Sequence, residues 1–124
     1  MILHSAILCL ALNIFYEARG ESYFGQLAVA HVTLNRVKEN NTTICKEVFK
    51  PKQFSWTEKK FKIPTEKDQN WIQAKEIANK ALKTNDTTHG STFFFEKKCK
   101  RVRSVVNGRK MVMKLGNHIF YANK

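Results

Sequence analysis

The sequence predicts an α+β fold with a mainly helical body and a small antiparallel β element. Helical periodicity fills the N-terminal part of the chain, strand-like patterns replace it afterwards, and an Asn-Gly pair separates two of the strand-like runs. The 124 residues, 43% of them hydrophobic, suffice for a core of their own. We therefore expect one domain that spans residues 1–124.

Three segments have the apolar spacing of helices, and a shorter helical turn is expected at residues 45–49. The three segments are residues 3–18, 23–38 and 66–83. The first is apolar nearly all round, which is typical of a helix inside a domain. Ser22 is the expected N-cap of the second helix, and Thr65 with Asp68 forms a candidate capping box for the third.

The C-terminal part of the chain changes to strand-like patterns. Residues 92–95 are aromatic, and residues 102–106 and 110–115 flank the Asn-Gly pair, which is a strong signal for a two-residue hairpin. Residues 119–121 are expected to close a small sheet.

The chain is strongly basic, with 22 Lys and Arg against 10 Asp and Glu, a formal net charge of +12. Such an excess of cations predicts a polyanionic partner, which is nucleic acid, an anionic membrane face or an anionic cell-wall polymer. No apolar run reaches the roughly 20 residues that a membrane span needs. Charge alone does not distinguish these three partners, so the residues of a candidate site must identify the partner.

Cysteine usage does not indicate a disulfide framework, because three cysteines are an odd and small number. Cys9 lies in an apolar stretch and is expected to pack as a small hydrophobic residue. Cys45 and Cys99 could meet in space, although nothing in the sequence requires it.

The most informative motif is Tyr-Glu-Ala-Arg-Gly-Glu at residues 16–21. Glu17 lies at the C-terminal end of the most apolar helix, where burial and the negative helix pole both raise the pKa of a carboxyl group. A carboxyl that stays protonated near neutral pH is what a general acid requires. A surface ion pair between Glu17 and Arg19 is the alternative, and Glu21 is expected to cap or to form an ion pair.

Four blocks, residues 11–37, 53–57, 86–94 and 116–121, contain the motifs YEARGE, QFSWT, DTTHGSTFF and GNHIFY. In this order they resemble the cell wall hydrolase family, which the spore cortex-lytic enzymes typify. The resemblance implies a lysozyme-like fold and cleavage of peptidoglycan at the β-1,4 bond between N-acetylmuramic acid and N-acetylglucosamine. It also implies that Glu17 is the catalytic acid.

Two reactions at that bond are compatible with one glutamate. In a lytic transglycosylase, Glu17 protonates the glycosidic oxygen and then deprotonates the muramoyl C6 hydroxyl, which closes a 1,6-anhydro ring. A muramidase-type hydrolase needs a second carboxylate or a positioned water, and Glu21, Asp86 and Glu96 are candidates for that carboxylate. We favour the transglycosylase, with hydrolysis of the same bond as the alternative.

Sugar rings stack on aromatic side chains, and their hydroxyl and acetamido groups need hydrogen-bond partners. The aromatic candidates for substrate binding are Phe54, Trp56, Phe95 and Tyr121. The polar candidates are Gln26, Asn35, Gln53, Asn117 and His118. His118 and Tyr121 belong to the last of the four blocks, whereas any single aromatic residue could equally pack in the core.

Other functions have less support from the sequence. No helical ligand spacing indicates a metal, so no metal and no cofactor are expected. The lysines are spread over several segments and no nucleic-acid-binding motif is present, so nucleic acid is not the expected partner. A wall amidase with Cys45 or Cys99 beside His118 has no motif behind it.

The sequence also predicts where the protein is made and where it acts. The N-terminal residues lack the basic segment and cleavage site of a signal peptide. We therefore expect a phage endolysin that is made in the host cytoplasm and acts on the periplasmic cell wall. The expected protein is a monomer that binds bacterial peptidoglycan and contacts anionic membrane surfaces peripherally.

Overall fold

The computed structural model describes residues 5–97, 105–106 and 108–123. Its helices are α1 (Ala6–Ala18), α2 (Tyr23–Asn40), α3 (Ile44–Val48) and α4 (Gln69–Lys83), with a 3-10 turn at Ser55–Glu58 before α4. Its strands are β1 (Ser91–Glu96), β2 (Val105–Val106), β3 (Arg109–Leu115) and β4 (His118–Asn123). The predicted α+β class, a helical body with a small antiparallel sheet, is confirmed.

Of the two predicted helix caps, one is confirmed and one is wrong. The first helix begins at Ala6 with Ser5 as its N-cap, and residues 3–4 of the predicted helix lie outside the described residues. The Ser22 hydroxyl accepts the Gly25 N–H at 3.1 Å, so α2 begins as predicted. The capping box at Thr65 is wrong, because α4 begins at Gln69 and not near residue 66. Asp68 is itself the N-cap, since its carboxylate accepts the backbone N–H groups of Asn70 and Trp71.

The first helix, α1, forms the centre of the helical body. It packs against α4 and α2, and its buried apolar residues join Trp71 and Ile77 of α4 in one core cluster. No helix among the described residues combines the length and hydropathy that crossing a membrane demands. The prediction of a helix that is apolar nearly all round is confirmed, because every residue from Cys9 to Phe15 is buried. This buried segment fixes the position of the helix end that carries Glu17.

One buried polar side chain ties α1 to its neighbours. Asn13 is fully buried, and its amide donates to the Thr33 hydroxyl of α2 at 3.1 Å. Its carbonyl accepts the Trp56 indole N–H at 2.9 Å. Because a buried amide without partners would cost stability, these two bonds define how α1, α2 and the 3-10 turn fit together.

The sheet has the order β1-β4-β3-β2 with all neighbours antiparallel. Val106 pairs with Arg109, so the predicted hairpin is confirmed, although residues 102–104 of the predicted strand lie outside the described residues. A second two-residue hairpin, which was not predicted, joins β3 to β4 through Gly116 at φ 58°. Phe120 of β4 packs the sheet onto α2.

A disulfide links Cys9 of α1 to Cys45 of α3, with the two Cα atoms 5.3 Å apart. The prediction that Cys9 packs as a free apolar residue is therefore wrong, and Cys45 pairs with Cys9 rather than with Cys99. Cys99 lies outside the described residues. The pairing was missed because it depends on how α3 packs against α1, which is a long-range contact that cysteine spacing does not encode.

Candidate active site

Glu17 projects from the last turn of α1 into a pocket of about 370 Å³. Two residues of α1, one of the 3-10 turn, three of β1 and one of β4 line this cavity. They are Tyr16, Glu17, Ser55, Phe94, Phe95, Glu96 and His118. We call it the Glu17 pocket. It lies where the helical body meets the sheet, so both parts of the fold contribute to it.

Burial dominates the electrostatics of Glu17 and raises the pKa of its carboxyl to about 7. Arg36 opposes this shift and the charge of Glu96 adds to it. The rise in pKa that burial predicts is confirmed. The alternative of a surface pair with Arg19 is not what the structure shows, because that guanidinium stacks on the Phe15 ring, 4.6 Å from its centroid.

His118 faces the same pocket as a neutral side chain. It is only 2% exposed, and burial lowers the pKa of its imidazole. Its Nδ1 atom lies 4.0 Å from Oε1 of Glu21, and its ring meets the Phe94 ring edge to face. A neutral imidazole can donate or accept a hydrogen bond without adding a charge that would ionise Glu17.

Glu21 holds the β3–β4 turn against the end of α1. Its carboxylate accepts the backbone N–H and the side-chain N–H of Asn117, each at 3.0 Å. A Cβ atom at Gly116 would come within 2.3 Å of Oε1 of Glu21, so this turn needs glycine both for its positive φ and for the close approach. Glu21 is therefore a hydrogen-bond acceptor for this turn rather than the predicted helix cap or ion-pair partner. Its carboxylate lies near His118 but forms no hydrogen bond with the imidazole.

Aromatic packing fixes the wall of the pocket next to Glu17. The Tyr16 ring stacks on Trp56 with centroids 5.0 Å apart and an interplanar angle of 20°. The Tyr16 hydroxyl donates to the carbonyl of Lys62. Since Trp56 is in turn bound to Asn13, the wall is joined to the core.

Of the nine predicted substrate-binding residues, only two line the Glu17 pocket. Phe95 and His118 line the Glu17 pocket, while Gln53 lines a neighbouring polar cavity. Asn117 is exposed, and its backbone N–H and one side-chain N–H donate to Glu21.

The structure does not bring the other five predicted residues to the Glu17 pocket. Phe54, Trp56 and Tyr121 are buried, so their faces pack against protein. Gln26 donates to the Glu21 carbonyl at 3.0 Å, and Asn35 donates to the Ser91 carbonyl at 2.9 Å. These amides hold the backbone together, which their residue type alone could not reveal.

Sequence reasoning missed three lining residues. Tyr16 precedes Glu17 within the same motif, and Ser55 lies in the middle of QFSWT, so both stood in the blocks that carry the resemblance. Phe94 lies in the predicted aromatic strand, where the strand pattern did not show which face would meet the helices.

The remaining two candidates for a second catalytic carboxylate, Glu96 and Asp86, lie in different places. Glu96 lines the Glu17 pocket. Asp86 instead ties its own loop, because its carboxylate accepts the N–H groups of Thr88 at 2.8 Å and Gly90 at 2.6 Å. Burial works against ionisation of Asp86, yet these hydrogen bonds lower its pKa overall. Among the described residues no group of three His, Cys, Asp or Glu side chains is arranged to hold a metal.

Comparisons with known proteins identify the family and the fold. The family model described as Cell Wall Hydrolase matches residues 20–121, a range that begins three residues after Glu17. The catalytic domain of the germination-specific lytic transglycosylase SleB from Bacillus anthracis is 28% identical, with a TM-score of 0.73 and 96% of each chain covered. The catalytic domain of Bacillus cereus SleB is 30% identical, with a TM-score of 0.74, covering 94% of this chain and 88% of that one. No curated protein sequence matches significantly.

Proposed function

Because the chain belongs to the cell wall hydrolase family, we propose that it cleaves the glycan strands of peptidoglycan as a lytic transglycosylase with Glu17 as the general acid and base. The observation that carries this proposal is the burial of Glu17 at the pocket, which raises its pKa to about 7. The similarity to the catalytic domain of a lytic transglycosylase supports the choice of reaction.

In the first step the protonated Glu17 carboxyl donates its proton to the glycosidic oxygen between N-acetylmuramic acid and N-acetylglucosamine. The bond from that oxygen to the muramoyl C1 breaks, and positive charge develops at C1. The Glu17 carboxylate that remains stabilises this charge. A carboxyl with a pKa near 7 is both available as an acid and able to lose its proton at neutral pH.

In the second step the Glu17 carboxylate accepts the proton of the muramoyl C6 hydroxyl. The C6 oxygen bonds to C1, which closes the 1,6-anhydro ring and returns Glu17 to its protonated form. No water is consumed, so the reaction needs a single carboxyl group. Phe94 and Phe95 provide apolar ring surface in the pocket, suited to the C–H faces of a sugar.

Hydrolysis of the same bond is the second candidate, and one observation favours it. Glu96 lines the Glu17 pocket and is close enough to raise the Glu17 pKa. A second carboxylate in that position could act on a water molecule as an inverting glycosidase requires.

Mass spectrometry of the fragments released from purified sacculi tests the proposed reaction. We expect muropeptides that end in 1,6-anhydromuramic acid, which are lighter by one water than reducing-end muropeptides. Reducing-end muropeptides as the main product would establish the hydrolase instead. Free stem peptides would contradict glycan cleavage altogether and indicate an amidase.

We further propose an endolysin-type role, in which the protein is made in the host cytoplasm and acts on the periplasmic wall. The Cys9–Cys45 disulfide supports action in an oxidising compartment, because such bonds persist there and not in the cytosol. The net charge of +12 supports association with peptidoglycan carboxylates and with anionic membrane faces. Action as a monomer remains part of this proposal.

A further inference from the structure

A second cavity, of about 190 Å³, is lined by Arg36, whose charge acts on the Glu17 carboxyl. The two cavities are also lined by residues that are close in the chain. Gln53 lines the second cavity and Ser55 the Glu17 pocket, and in β1 Phe93 lines the second cavity and Phe94 the Glu17 pocket. The polar and charged residues that line the second cavity are Arg36, Glu39, Asn40, Glu47, Lys50, Gln53, Thr92 and Arg109, together with the ring of Phe93. We call it the Arg36 pocket.

Four polar atoms around the Arg36 pocket are buried and have no hydrogen-bond partner within the described part of the chain. They are Nη1 of Arg36, Oε2 of Glu47, Oγ1 of Thr92 and Nε of Arg109. Arg36 and Thr92 are each 6% exposed, and Glu47 is 2% exposed. Because a buried polar group without a partner costs stability, four of them around one cavity indicate a site for a polar ligand.

Packing holds these groups in place without using the unpaired atoms. Nε of Arg36 donates to the Thr92 carbonyl, and Oε1 of Glu47 accepts the Asn40 amide at 3.0 Å. The guanidinium groups of Arg36 and Arg109 both lie near the Phe93 ring, 5.6 Å and 4.8 Å from its centroid. The donors are therefore preorganised around this ring.

A β-bulge directs Thr92 into the same site. The pairing of β1 with β4 runs from Ser91 opposite Ala122 to Phe93 opposite Tyr121, which leaves Thr92 as the additional residue of β1. Bulges of this kind re-aim a side chain and are common beside functional sites.

The unpaired atoms define the chemistry of the ligand. Two guanidinium groups suit a carboxylate, while the free oxygen of Glu47 accepts a hydrogen bond and would repel a dianion such as phosphate. The cavity is lined by three cations, which are Arg36, Lys50 and Arg109, and by two carboxylates, which are Glu39 and Glu47. One positive charge is therefore in excess, and a neutral sugar would leave it unmatched. The complementary ligand is a carboxylate with an amide or ammonium N–H next to it, which is the composition of a peptide end.

We propose that the Arg36 pocket binds a carboxylate end of the peptidoglycan stem peptide while the glycan strand occupies the Glu17 pocket. This inference rests on the proposed function, because the stem peptide is attached to the muramic acid whose bond is cut. A pocket next to Glu17 is where a peptide on that sugar would reach. Peptide-bearing glycan would then be preferred over bare glycan.

Isothermal titration of the protein with the tripeptide L-alanyl-γ-D-glutamyl-diaminopimelate tests this proposal, at an ionic strength that screens long-range attraction. We expect the wild type to bind it, and to bind a version with amidated carboxylates at least about tenfold more weakly, since a charge-assisted hydrogen bond is lost. Arg109→Gln should weaken tripeptide binding by a similar factor. Lys110→Gln removes the same charge from an exposed neighbour and should bind as the wild type does.

Three outcomes would overturn the assignment: no binding by the wild type, equal affinity for the amidated tripeptide, or equal weakening in both variants. Thermal unfolding of Arg109→Gln shows whether its fold is intact, and Thr92→Val offers a second variant with nearly the same shape and one fewer polar atom in the pocket. Glycan cleavage without tripeptide binding would contradict this inference alone. Tripeptide binding without glycan cleavage would support the pocket and contradict the proposed function.

Discussion

A Glu17→Gln variant is expected to release fragments from purified sacculi about a thousandfold more slowly than the wild type. The amide has nearly the shape of the carboxyl, but it can neither protonate the glycosidic oxygen nor accept the proton of the C6 hydroxyl. Both steps of the proposed reaction depend on this one group, which lies half-buried at the pocket. The initial rate of fragment release at pH 6 to 7 measures the loss.

Two controls separate lost chemistry from lost folding. Glu76→Gln changes an exposed glutamate of α4 and should keep wild-type activity. Glu17→Gln itself should fold stably, because the wild-type carboxyl ionises at its ordinary pKa of 4.5 when unfolded but only near 7 when folded. Wild-type stability therefore falls as pH rises from 4.5 to 7, and at pH 8 the variant should be more stable by up to about 3 kcal/mol. A stable Glu17→Gln protein with more than a tenth of wild-type activity would contradict the assignment.

Reduction of the Cys9–Cys45 disulfide is expected to lower the free energy of unfolding by about 4 kcal/mol. The bond joins residues 36 positions apart, so it restricts the unfolded chain substantially. It also fixes α3 to the N-terminal half of α1, the helix that carries Glu17 at its other end. Denaturant unfolding with and without reductant measures the difference.

Cys99→Ser provides the background for that measurement, because only the two bonded cysteines then respond to reductant. The same bond reports on the compartment that we propose. Protein taken from the cytoplasm should contain free thiols at Cys9 and Cys45, and protein from the periplasm should contain the disulfide. Equal stability in both redox states would contradict the stabilising role of this bond.

The sequence predicted those parts of the fold that depend on local signals. The apolar sequence of α1, the cap at Ser22 and the Asn-Gly hairpin are local signals, and the structure confirms each of them. The start of α4 was misplaced because Thr65 and Asp68 offer competing caps, and spacing alone does not decide between them.

The site was less predictable because it depends on which partners the fold supplies. Glu17 was found because its helix is apolar and its motif is specific. The sequence predicts Gln26 and Trp56 as substrate ligands, but the Gln26 amide N–H donates to the Glu21 carbonyl and the Trp56 indole N–H donates to Asn13. An amide or an indole looks the same in sequence whether its partner is a sugar or the protein itself. The Arg36 pocket was missed for the same reason, since it forms only when β1 packs beside α2.

The pH dependence of kcat/KM for a soluble glycan fragment tests the central claim most directly, which is that a buried, protonated Glu17 carries the reaction. We predict that kcat/KM falls as pH rises through about 7, because the acid is then lost. Glu96→Gln should move this fall to lower pH, since the Glu96 charge helps to raise the Glu17 pKa, and should keep the maximum within about tenfold. A wild-type rate that rises between pH 7 and 8, or a Glu96→Gln variant as inactive as Glu17→Gln, would contradict this account.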